Sequence, residues 1–87
     1  MRVHEFEIRA DVDHKALLAV SCQTSRFLSD VNFITMRDED EHTIDAKNLL
    51  AILKLSWRAG TRIRLISRGK DEEEALNYVF GFFESYV

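Results

Sequence analysis

A two-layer α+β fold, with helices on one face of an antiparallel sheet, is what this sequence predicts. Residues near each end, Val3 to Ala10 and Thr61 to Ser67, alternate apolar with charged side chains, the period of a half-buried strand. Ala16 to Leu28 and the C-terminal stretch after Asp71 instead repeat apolar residues at helical spacing. Between them, two strand-like segments are joined by the acidic run Asp38 to Glu41, and such a hairpin forces antiparallel pairing.

The elements follow in order. In Val3 to Ala10, His4, Phe6 and Ile8 point one way and Glu5, Glu7 and Arg9 the other. Asp11-Val12-Asp13 is a loop, and Asp13 is a good N-cap. Ala16 to Leu28 places Leu17, Val20, Thr24, Phe27 and Leu28 on one side of a helix. Asp30 to Met36 is a second strand, rich in β-branched and aromatic residues. Asp38-Glu39-Asp40-Glu41 is a solvated turn, and Thr43 to Asp45 a short third strand. Lys47 to Trp57 is a short helix, and Gly60 marks a left-handed stop or tight turn. Thr61 to Ser67 sets Ile63 and Leu65 against Arg62, Arg64 and Ile66. Gly69-Lys70-Asp71 is a turn, and Asp71 with Glu74 makes a capping box for a last helix, whose first turn Glu72 and Glu73 also favour. Ala75, Val79, Phe82, Phe83 and Tyr86 form its buried stripe. The order is β-α-β-β-α-β-α. The outer sheet face then carries Glu5, Glu7, Arg9, Arg62 and Arg64, and neighbouring first and last strands would set opposite charges side by side.

Composition narrows the function classes. The chain has 87 residues, enough for one domain over 1–87 with a small core. Apolar residues make up 46% and charged residues 31%, which argues against disorder. The formal net charge of −3 gives no electrostatic reason to expect nucleic acid. The stretch Ala16 to Ser25 is free of charged residues but too short to span a bilayer, and Arg2, Glu5, Glu7 and Arg9 leave no signal-like run at the start, so no membrane association is expected. Cys22 is the single cysteine: it excludes an internal disulfide and a four-cysteine zinc site, and it fits a cytoplasmic location.

Ala46-Lys47-Asn48-Leu49-Leu50 through Leu55, then Gly60, Ile63, Ile66 and Gly69, then Asp71-Glu72-Glu73-Glu74-Ala75-Leu76 resemble the HPr family, the small phosphocarrier of the bacterial phosphoenolpyruvate-dependent sugar phosphotransferase system. The likeness runs without a gap through that family's second helix, fourth strand and third helix. In the first half it rests on pattern and on Phe27. It implies an HPr-like open-faced sandwich with sheet order 1-4-2-3, no catalytic activity of its own, and partners among the proteins of that system.

The family's functional motif is Gly-Leu-His-Ala-Arg-Pro at the start of the first helix, where the histidine accepts a phosphoryl group. Here the stretch is Asp11-Val12-Asp13-His14-Lys15-Ala16. Counting back from Phe27 without a gap puts Asp13 on the histidine, Lys15 on the arginine and Ala16 on the proline. A slip of one residue puts His14 on the phosphoacceptor and misplaces Lys15. The family's regulatory serine is here Asn48, and an amide cannot accept phosphate. Leu49, Leu50 and Leu53 match the positions with which the family's second helix contacts partners.

The same residues have plain readings. A histidine at a helix start is well placed to hold phosphate, with free N–H groups and a neighbouring cation, Lys15. Lysine lacks the bidentate fork of arginine, however, and Asp13 repels phosphate; an exposed histidine beside an N-cap aspartate explains the pattern too. Leu49, Leu50, Ile52, Leu53 and Leu55 wrap more than half of a short helix, so some are exposed unless another chain, the hairpin loop or Trp57 covers them. His4, a sheet-face residue, and His42, a loop residue, have no companion at metal-ligand spacing, and Cys22 has no base near it. No metal or cofactor is expected. A small-molecule module would need a convergent polar set, which the sequence does not offer. The expectation is an HPr-like protein acting through protein contacts made by the start of helix one and by helix two. The alternative is a working carrier that uses His14.

Overall fold

In the computed structural model, which describes residues 1–37, 40–55 and 57–86, the order is β1 (Arg2–Glu7), α1 (His14–Thr24), β2 (Asp30–Arg37), β3 (Asp40–Asp45), α2 (Leu49–Leu53), β4 (Arg62–Arg68) and α3 (Glu72–Ser85). The four strands form one antiparallel sheet in the order β1-β4-β2-β3. This is the expected architecture. The alternation in β4 buries Ile63, Leu65 and Ser67 on the inner face and leaves Arg62, Arg64 and Arg68 outside. Phe6, Val31 and Phe33 join them from β1 and β2, and Leu17, Val20, Ile52, Ala75, Val79 and Phe83 cover them from the helices. Trp57 stacks flat on Phe83, ring centroids 5.4 Å apart, and meets Phe33 edge-on at 5.1 Å.

On the outer face, Glu5 opposes Arg64 and Glu7 opposes Arg62. The Glu5 carboxylate accepts from Arg64 at 3.0 Å, as the adjacency of β1 and β4 requires. Arg9 departs from expectation: it lies beyond β1 and pairs with Glu84 of α3, on the helix side. His4 meets the ring of Phe80 edge-on at 4.0 Å, also on the helix side.

Several boundaries differ for identifiable reasons. Helix α1 stops at Thr24 rather than Leu28. The hydroxyls of Thr24 and Ser25 donate to the carbonyls of Val20 and Ser21, competing with the helical ladder, and the following turn tightens through Phe27 N–H to the Thr24 carbonyl. Leu28, expected on the buried stripe, is therefore exposed. Strand β3 begins at Asp40, not Thr43, so Asp40, Glu41 and His42 belong to a strand instead of a loop; the expected turn at Asp38 and Glu39 lies outside the described residues. Helix α2 spans five residues instead of running from Lys47 to Trp57: after it Lys54 and Leu55 donate to the carbonyls three residues back, and the Trp57 indole N–H also takes the Ile52 carbonyl, at 2.8 Å.

The capping box expected at α3 is also replaced. Asp71 makes no side-chain cap. Its carboxylate instead accepts from the backbone N–H of Leu28 (2.9 Å) and Ser29 (2.8 Å) and from the Ser29 hydroxyl (2.6 Å), while Glu72, not Glu74, reaches back to the Gly69 N–H. Gly69 sits at φ +146°, and a Cβ there would lie 2.7 Å from the Ser29 Cα. The close approach of the two loops thus requires glycine at this position.

Candidate functional site

The start of α1 is fixed from behind. Val12 donates its N–H to the Trp57 carbonyl at 2.8 Å, and the Asp11 carboxylate accepts from Ala59 N–H at 2.8 Å. Asp13, in an extended conformation (φ −82°, ψ 168°), is the N-cap, and its Oδ1 accepts from Ala16 N–H at 2.8 Å. This is the cap that the sequence predicts, and it satisfies one of the donors that a helix leaves without an internal partner.

His14 and Lys15 follow as exposed residues in the first turn. That turn holds no acidic residue. The Lys15 ammonium opposes the positive end of the helix dipole, and the carboxylate of the Asp13 cap complements it. Helix α3 has the opposite arrangement, with Glu72, Glu73 and Glu74 in its first turn. Among the described residues, neither His14 nor Lys15 enters an ion pair.

Helix α2 packs against α1. Asn48 is its N-cap, its amide oxygen accepting from Ala51 N–H at 3.2 Å. Lys47, just before α2, is tied to the turn after α1, donating from Nζ to the Phe27 carbonyl at 2.7 Å. Of the five apolar residues around α2, Ile52 is buried, Leu49, Leu53 and Leu55 are half-buried, and Leu50 is 74% exposed.

Helix α1 adds Leu18, 52% exposed and one turn from His14 on the same face. The sequence reading passed over Leu18, although its signal was present: it is apolar yet lies one residue off the stripe of Leu17, Val20 and Thr24. The ties made by Asp11, Trp57 and Lys47 join segments remote in sequence and had no local signal. Among the described residues no group of three His, Cys, Asp or Glu side chains is placed to hold a metal ion, and no helix is long and apolar enough to cross a membrane.

Known proteins share this fold. A family model described as the PTS HPr component phosphorylation site matches residues 14–85. The HPr-like protein Crh of Bacillus subtilis is 31% identical over 65 residues, covering 75% of this chain and 72% of Crh. The Crh of Halalkalibacterium halodurans is 32% identical over 62 residues, covering 71% and 69%. Among solved structures, an HPr of Thermoanaerobacter tengcongensis superposes with a TM-score of 0.81 at 24% identity, over 98% of this chain and 93% of that one.

Proposed function

The chain belongs to the HPr family, and from that premise we propose that it works by binding other proteins through the start of α1 and through α2, with its phosphoacceptor position taken by Asp13. The observation that carries this reading is the hydrogen bond from Ala16 N–H to Asp13 Oδ1. Counted back from Phe27 without a gap, the family's histidine and proline fall on Asp13 and Ala16. A proline has no N–H to give, so an aspartate cap of this kind requires a residue other than proline at position 16. The two departures are one physical exchange: an N–H donor appears together with the carboxylate that uses it.

That exchange works against phosphate in two ways. The cap occupies a donor that a phosphoryl group at the helix start would use, and it sets a negative charge beside the incoming group. Lys15 in place of arginine removes the planar two-point grip on phosphate oxygens. Asn48 caps α2 with an amide where the family has its regulatory serine, so the kinase that acts on that serine has no hydroxyl to use. What remains is the binding surface: Leu18 beside His14 on α1, and Leu49, Leu50 and Leu53 on α2. HPr-family proteins interact with other proteins of the phosphotransferase system, and these side chains offer an apolar patch for such a contact.

The test is incubation of the protein with phosphoenolpyruvate and the system's first enzyme, followed by intact mass. The expected result is an unchanged mass. A gain of one phosphoryl group that disappears in His14→Ala would overturn the reading and make this a carrier acting through His14. The exposure of His14 beside Lys15 supports that alternative.

A further inference from the structure

The sheet ends in two edge strands, β1 and β3, and the β3 edge borders a groove. In the order β1-β4-β2-β3, strand β3 pairs only with β2 among the described residues, so one side of its backbone is unpaired within the sheet. The register tells which groups are free. Ala46 N–H reaches the Val31 carbonyl at 2.8 Å, which fixes the phase of the ladder between β2 and β3. Alternation in an antiparallel ladder then turns the N–H and C=O of Ile44 and His42 toward β2 and those of Glu41 and Thr43 away from it.

A groove of about 620 Å³ runs along this free edge, with α2 as its other wall. The consecutive residues Glu41, His42, Thr43 and Ile44 all line it, which places the backbone itself in the groove wall, and Leu50 of α2 with Lys54 and Leu55 just after it line the other side. Side chains divide by face. Glu41, Thr43 and Asp45 belong to the outer face, and His42 and Ile44 to the helix face, where exposed Leu50 and half-buried Leu55 stand.

We infer that this edge takes an extended segment of a partner protein as a fifth strand, one that alternates basic with apolar residues. The Glu41 and Thr43 backbone groups supply the pairing. Basic side chains on the outer face lie beside Glu41 and Asp45, and apolar ones on the helix face sit against Ile44, Leu50 and Leu55. A second copy of β3 is a poor occupant: in antiparallel self-pairing centred on Thr43, Glu41 of one copy faces Asp45 of the other, and like charges directly opposite are unfavourable. The inference does not depend on whether His14 accepts phosphate.

The probe is a capped peptide, Lys-Val-Lys-Val-Lys, titrated into the isotope-labelled protein with amide shifts as the readout. Shifts should appear at Glu41, Thr43, Ile44, Leu50 and Leu55, and binding should weaken as salt rises. The analogue with glutamate for lysine should not bind. Thr43→Pro removes an outward N–H from an edge position that tolerates proline, and it should weaken binding about tenfold, while Thr43→Ser binds as wild type does. Should Thr43→Pro fail to fold, peptides N-methylated at alternate residues decide the matter: one phase must lose binding and the other keep it. Equal binding of the glutamate analogue, indifference to the phase of N-methylation, shifts confined to the start of α1, or self-association of the protein in place of peptide binding would each overturn the inference.

Discussion

At the level of single residues, the contact that does most to join remote parts of the chain is the one at Asp71. Its carboxylate receives the Ser29 hydroxyl and the N–H groups of Leu28 and Ser29, across a separation of more than forty residues. The Ser29 hydroxyl, then the Leu28 N–H, hold its pKa below the ordinary value of 3.8. A carboxyl whose pKa is lowered on folding stabilises the native state fully above its unfolded value and loses that contribution as pH falls through the folded one. Asp71→Ala should therefore lower Tm at neutral pH, and the gap to wild type should close as pH drops below 3.8. Thermal melts of both proteins across that range check it; a gap that stays constant would contradict the linkage. Asp71 was legible in the sequence as a helix-start residue. Its actual partners were not, because a capping box is a local pattern and the loop that Asp71 holds is distant in sequence. Asp13 was read correctly because its partner lies three residues away.

Among the elements, β4 and α3 were the most legible. Period-two alternation in β4 and the stripe Ala75, Val79 and Phe83 in α3 each name their buried face directly. The stripe was drawn one side too wide. Phe83 is buried against Trp57, Phe33 and Phe6, whereas Phe82 and Tyr86 are half-buried at its margin. Phe83→Ala should cost about 3–5 kcal/mol, the range for emptying a closed aromatic site, and Phe82→Ala distinctly less. Chemical denaturation of the two variants checks the ranking; equal losses would mean that Phe82 is as enclosed as Phe83. Helix α2 was the least legible element. Its five apolar residues suggested a longer helix, but a tryptophan four residues after its end takes one of its carbonyls, and no local propensity rule anticipates that contact.

For the molecule as a whole, the architecture was readable while the chemistry of its candidate site was not fully so, since a scaffold can persist while a single exchange at a helix start changes what the site accepts. That makes restoration the informative experiment. Asp13→His, Lys15→Arg and Ala16→Pro together remove the cap, bring back the planar cation and delete the N–H that the cap used. Losing an N-cap should cost roughly 0.5–2 kcal/mol. The remaining anchors of this loop, Val12 N–H to the Trp57 carbonyl and Ala59 N–H to Asp11, do not involve the substituted side chains, so the triple variant should fold with a modestly lower Tm. Supplied with phosphoenolpyruvate and the first enzyme, it should take up acid-labile phosphate on the introduced histidine, and a further His14→Ala change should leave that uptake intact. Uptake that instead depends on His14 would assign the carrier role to His14. A folded triple variant that stays inert would move the decisive loss from the cap to the loop before Asp13.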